Sequence, residues 1–309
     1  MNKDSTRYAN AALALRIGLG LVFVIGGLSK LSLLLSSSKQ AAMVANYMGT
    51  TGYINELFQD YLFSNGVLTP WFFLTSLSTF ELVSGIALIA GFMVRPLALF
   101  YGLLLWTFVF SLPVDTVPGA SVGVKTYTSP AMFVQIRDIT LSGMMFVLFN
   151  LGAGARSLDQ RRGQGVGGAN AAPNWDVLGL LLRFSLGVTF IIGGFFGAYA
   201  KIPSFATYQI ILALIGLVLI FGQGASLKAA AGAVVLVMAW YMLQKLNLDK
   251  GVIANLNSVK REFALAAAGL VLMRLGGGDL FTLSDCVRRT KETLGIQTSL
   301  SAVGHQSKP

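Results

Sequence analysis

Eight apolar segments divide this chain, and their length leaves few folds open to it. A helix needs about 20 residues to cross roughly 30 Å of hydrocarbon. Segments near that length are predicted at 11–34, 71–94, 97–112 and 137–151, then at 177–200, 205–221, 228–246 and 262–275. Only 12% of the residues are charged against 54% hydrophobic, with a mean hydropathy of +0.68, far from the composition of a soluble domain. Lipid cannot satisfy backbone N–H and C=O groups, so such segments must be helical. The expected fold is an all-α integral membrane protein with about eight transmembrane helices.

The eight segments fall into two sets of four that look like copies. Arg16-Ile-Gly-Leu-Gly20 through Gly26-Gly27 aligns with Arg183-Phe-Ser-Leu-Gly187 through Gly193-Gly194. Arg137-Asp138 and Leu151-Gly152 match Arg261-Glu262 and Leu275-Gly276 at one separation of 124 positions (261 − 137 and 275 − 151). A weaker match pairs Thr79-Phe80-Glu81 with Thr207-Tyr208-Gln209. Four crossings return a chain to its starting side, so the copies run parallel about an axis along the membrane normal. Two tandem four-helix bundles are therefore expected, the first over 1–155 and the second over 177–294. A Gly-, Arg- and Asn-rich linker joins them at 156–176, and a polar tail occupies 295–309.

The formal charge of +10 does not point to nucleic acid, because the basic residues lie scattered between apolar segments. They read as topology signals and lipid-headgroup contacts. Lys3, Arg7, Arg95, Arg156, Arg161, Arg162, Lys228, Arg288, Arg289 and Lys291 fall on one side, which places both termini in the cytoplasm; Lys250 and Lys260 oppose that assignment. Cys286 is the only cysteine and His305 the only histidine. A disulfide, a haem, an iron–sulfur cluster or a zinc site built from this chain alone is thus not expected. The N-terminal run lacks a small-x-small cleavage site and reads as a first spanning helix.

Function is sought at the ionisable residues inside the apolar segments. Each costs about 2.5–3.5 kcal/mol at the bilayer centre, so a chain that keeps several pairs them or uses them. Glu81, ten positions beyond Trp71, lies about 15 Å below the outer surface at 1.5 Å per residue. Arg137 and Asp138 approach the same level, and Lys30 lies near the outer edge. These four can form an outward-facing polar pocket within the first bundle, with Glu81–Arg137 and Lys30–Asp138 as candidate pairings. Arg16 and Arg95, near the cytoplasmic interface, are expected to snorkel. The aromatic-rich stretch 36–70, almost without counterpart in the second half, is expected to form an ordered or interfacial cap, and the site is expected in the first bundle.

The motif Arg16-x-Gly-x-Gly-x-x-Phe23-x-x-Gly-Gly-x-x-Lys30-Leu31, then Phe80-Glu81-Leu82-x-x-Gly85, Gly91-x-x-x-Arg95, Arg137-Asp138-Ile139 and Ser157-Leu158-Asp159, resembles the DoxX-like four-helix membrane proteins. Within them it resembles the DoxD type, the small subunit of thiosulfate:quinone oxidoreductase. The resemblance implies oxidation of thiosulfate to tetrathionate outside a bacterial or archaeal cytoplasmic membrane, with quinone as electron acceptor. Lys30 and Arg137 would then draw in the sulfur oxyanion, and Glu81 and Asp138 would handle protons. It also implies a partner subunit or larger redox complex. Two other readings are a non-catalytic membrane scaffold subunit and a small transporter.

Overall fold

The computed structural model describes residues 3–49, 56–66, 68–110, 121–122, 125–126, 131–162, 173–195 and 208–293. Among them are eight helices of thirteen or more residues: α1 (Lys3–Leu34), α2 (Pro70–Ala90), α3 (Val94–Phe110), α4 (Ala131–Leu151), α5 (Trp175–Phe195), α6 (Gln209–Phe221), α7 (Gly224–Lys245) and α8 (Lys260–Leu275). The chain is an all-α, multi-pass membrane protein, with four helices (α1, α2, α5, α7) long and apolar enough to cross a bilayer unaided. A two-residue β-ladder, Ser121–Val122 against Lys125–Thr126, interrupts the helices between α3 and α4.

Several boundaries differ from the apolar pattern for a physical reason. A hydropathy reading stops at the first charge, yet α4 starts at Ala131, six residues before Arg137, because its charges are paired within the protein. The ends expected at 196–200 and 205–207, the linker core 163–172 and the tail 295–309 with His305 lie outside the described residues. The start of the expected linker is ordered. Ser157 caps a short helix, Leu158–Arg161, and the Asp159 carboxylate accepts from Met93 N and Val94 N at the start of α3.

The two sets of four pack through their first and fourth helices. α1 lies chiefly along α2 and then along α8; α5 lies along α6 and then along α4; α3 packs on α4 and α7 on α8. Inner α1, α4, α5 and α8 supply the core residues Leu15, Leu19, Leu141, Met144, Leu148, Leu182, Leu186, Phe190, Leu265 and Leu272. Outer helices turn apolar side chains outward, among them Val83, Ile86, Leu103, Leu214, Leu236 and Leu243, as a lipid-facing surface requires. The starts of α1 and α5 share one end of the molecule, where the Tyr8 and Trp175 rings lie 5.7 Å apart, so the halves are parallel.

Small residues fix the register, as expected for helices that gain little from apolar burial against lipid. A Cβ on Gly20 would meet Gly85 O and the Ile89 side chain; one on Gly187 would meet Gly216 O and the Ile220 side chain. This register makes Glu81 the equivalent of Leu212, which corrects the weak sequence match to Gln209. Across the halves Gly18 meets Ala267 and Gly143 meets Ser185. These are equivalent positions, two residues after Arg16 and Arg183 and six after Arg137 and Arg261. A pseudo-twofold therefore relates the α1–α8 and α5–α4 contacts.

At Gly27 an added Cβ would stand 2.6 Å from Ser78 O and 2.7 Å from Leu82 N, main-chain atoms that cannot step aside. Gly27→Ala is expected to destabilise by about 1–3 kcal/mol. The check is thermal unfolding in detergent beside Gly251→Ala, where the added carbon meets nothing within 4 Å and no loss is expected.

Arg16 does not snorkel. It is 1% exposed and donates to Ala153 O, Ala155 O and Arg156 O, each at 2.8 Å, beyond the end of α4. Its equivalent Arg183 donates to Ile220 O, Gly222 O and Leu280 O. Both guanidiniums satisfy carbonyls that helix ends and turns leave open. Gly91, left-handed at φ 73° after α2, leaves room for the Arg16 guanidinium where a side chain would collide.

Candidate functional site

Three ion pairs gather at the end of the helices away from Tyr8 and Trp175, one within the first copy and two between the copies. Lys30 Nζ on α1 donates to both carboxylate oxygens of Glu81 on α2 at 2.7 Å. Arg137 Nη1 on α4 donates to Glu262 Oε1 on α8 at 2.8 Å. Arg261 on α8 holds Asp138 on α4 through Nε to Oδ1 at 2.7 Å and Nη2 to Oδ2 at 3.2 Å. The expected Glu81–Arg137 and Lys30–Asp138 pairings are therefore replaced. The long lysine stem brings Lys30 down to Glu81, and the two arginine–acid dipeptides pair crosswise, each guanidinium taking the acid of the other repeat.

The sequence reading found Lys30, Glu81, Arg137 and Asp138 but left out Lys260, Arg261 and Glu262. The signal was present in the 124-position match of Arg137-Asp138 to Arg261-Glu262. On its own that match marks duplication, because nothing in the sequence says that the fourth helices of the two copies face one another. The second half thus supplies three of the seven charged residues here.

Exposure divides these residues by sign. The carboxylate side chains are nearly closed off, Glu81 and Asp138 at 4% and Glu262 at 1%, while Lys30 keeps 28% and Arg261 24% of their side-chain surface. Arg137 lies between at 11% and also hydrogen-bonds the Tyr241 side chain of α7. Lys260 donates to Asn257 Oδ1 at 3.0 Å. Its Nζ lies beside Gly26, 3.3 Å from where a Cβ there would stand, and Glu81 Oε2 is 3.7 Å from the same point.

The described part of the 36–70 stretch is ordered over α1 and α2. A short helix, Gln40–Met48, packs on both, and Trp71 Nε1 donates to Leu34 O at 3.0 Å. Phe58 and Phe63, on one π-helical turn (Phe58–Phe63), meet Phe73 edge-on at 5.2 and 5.7 Å. Tyr47 lies within the field of Glu81; burial first, and that negative charge second, push its hydroxyl up to about 12, so it stays protonated at neutral pH. Tyr53 lies outside the described residues.

Aromatic rings flank Glu81 on the lipid side. Phe80 and Phe100, 39% and 44% exposed, pack edge-on at 5.1 Å. Buried Tyr101 stacks on Phe23 and shares a hydrogen bond with Ser84. Among the described residues no group of three or more His, Cys, Asp or Glu could hold a metal ion. The local arrangement is one of charge pairing beside an apolar, aromatic surface.

Comparison with curated proteins and with solved structures found no match. The DoxX family model matches residues 11–112, that is α1 to α3 with Lys30 and Glu81. Arg137, Asp138 and the second half lie outside that match. The first three helices of this multi-pass membrane chain therefore carry a DoxX domain.

Proposed function

We propose that the chain is the membrane subunit of a DoxD-type thiosulfate:quinone oxidoreductase, with its site at the outer end of the α1–α8 contact. The observation that carries this reading is broken symmetry. The crosswise arginine–acid pairs lie on the pseudo-twofold, but Lys30, Glu81 and Lys260 have no charged equivalents: Glu81 corresponds to Leu212, Lys260 to Ile136 and Lys30 to Gly197. Structural pairing alone would be served by the symmetric set. The charges added on one side only call for another role, because buried ion pairs seldom repay their desolvation.

In this reading the sulfur oxyanion arrives from the extracytoplasmic face, drawn by Lys30 and by the charge of Arg137. Two thiosulfates each lose one electron and join through a new S–S bond, giving tetrathionate. Quinone takes up the two electrons and two protons and leaves as quinol. Glu81 passes the protons, with lipid-exposed Phe80 and Phe100 beside it as the surface against which a quinone ring would lie. Asp138 holds Arg261 in place. The basic end of the molecule, with Arg7, Arg95 and Arg161, faces the cytoplasm.

The test is thiosulfate-dependent quinone reduction by the purified full chain in lipid nanodiscs, with tetrathionate measured as product. Activity of the isolated chain supports the enzyme. Activity only after co-purification with a second subunit favours a scaffold, a reading supported by the mutual neutralisation of Arg137, Asp138, Arg261 and Glu262. Absence of activity in both preparations refutes the proposal.

A further inference from the structure

We infer that the last helix, α9 (Leu283–Thr293), lies in the plane of the membrane surface, its apolar stripe in the acyl boundary and its basic flanks on the phosphates of anionic lipids. The inference is independent of the activity proposed above.

The sequence of α9 fits neither water nor hydrocarbon. Five of its eleven residues are charged, Asp285, Arg288, Arg289, Lys291 and Glu292, too many for a span. Yet at 3.6 residues per turn Leu283, Cys286, Val287 and Thr290 fall on one stripe about 100° wide. Leu283 and Val287 are 67% and 46% exposed, and Phe281, just ahead of the helix, is 55% exposed. On the same wheel Arg289 and Lys291 take the two flanks of the stripe, while Asp285 and Glu292 stand opposite it. Bases beside an apolar face, with acids away from it, suit a surface of phosphates over hydrocarbon.

The place of α9 in the fold supplies the neighbour. Its start is bound to the turn between α6 and α7: the Ser284 hydroxyl donates to the side-chain oxygen of Gln223, the N-cap of α7, and Arg183 donates to Leu280 O. Thr282 caps α9 by accepting from Asp285 N at 3.3 Å, and the Asp285 carboxylate accepts from Phe281 N and from Arg288. Because α6 and α7 turn Leu214, Phe221 and Leu236 to lipid, the turn that joins them stands at the edge of the hydrocarbon. A helix pinned at that level meets the headgroup layer. In the first copy the equivalent helix, capped by Ser157, stops after four residues at Arg161, so the extended amphipathic form belongs to the second half.

Nitroxide labels on the full chain in nanodiscs test this, since Cys286 is the only cysteine and Cys286→Ser clears the background. In phosphatidylcholine with phosphatidylglycerol, a label at Val287→Cys is expected to be reached by oxygen in preference to a water-soluble nickel chelate. A label at Arg288→Cys is expected to show the reverse order. Leu283→Cys, on the same stripe, repeats the reading if the label at 287 disturbs the helix. Leaving out phosphatidylglycerol is expected to raise nickel access at 287 about fivefold, the effect of about one net basic charge at an anionic surface. Arg289→Gln with Lys291→Gln is expected to abolish that lipid dependence. Nickel access at 283 and 287 equal to that at 288 in the anionic nanodiscs overturns the inference and leaves the stripe to a protein partner. Oxygen-selective labels whose access is the same in both lipid mixtures overturn the phosphate contacts.

Discussion

Glu262→Ala is expected to destabilise the folded protein by about 3–5 kcal/mol, the range for breaking a buried ion pair from one side. The Glu262 side chain is 1% exposed and accepts from Arg137 at 2.8 Å, and Arg137 keeps only 11% of its own surface. Removing the carboxylate leaves a guanidinium with little access to water in a cluster that is already net positive. A double-mutant cycle with Arg137→Glu and Glu262→Arg, followed by thermal unfolding in detergent, isolates the pair. The exchanged double variant should recover much of what either single change loses. Wild-type unfolding of Glu262→Ala would show that the crosswise pairing contributes nothing. The same pairing means that Arg137→Ala should also lose stability, so a loss of turnover in that variant must be read beside its unfolding curve.

Glu81→Gln is expected to lower thiosulfate-dependent quinone reduction by about 100-fold or more, the usual contribution of a positioned acid–base group. The substitution keeps the size and shape of the side chain and removes its charge and its titration. Lys30, with 28% of its side chain exposed, retains access to solvent, so the fold should survive. Turnover per monodisperse protein, measured beside an unfolding curve, separates the two effects. Full activity in folded Glu81→Gln would exclude it as the proton carrier.

Most of the fold was legible because lipid makes the rules strict. Apolar length gave the helices, and the Arg16/Arg183 and Arg137/Arg261 matches gave the duplication. Helix partners were less legible, since periodicity marks a helix without naming what it touches. Nothing in the apolar pattern says that Gly18 meets Ala267 or that α4 rests on α5. The site followed the same division. Lys30, Glu81, Arg137 and Asp138 stood out as charges in apolar surroundings, but Lys260 and Arg261 stood at a segment edge, where a basic residue ordinarily reads as an interfacial anchor. Only their approach to α1 and α4 distinguishes them from that reading.

Because α1 closes on α8 and α5 on α4, a polypeptide holding one repeat would finish its interior by associating with an identical copy, every contact then occurring twice about a dyad. In such a homodimer any cation introduced at the position of Lys260 would be introduced at both ends of the interface. Joining the repeats in one gene product lifts that obligation. One flank can keep Ile136 and Leu212 as plain apolar packing while the other evolves charge, so fusion itself permits a single asymmetric centre in an otherwise balanced scaffold.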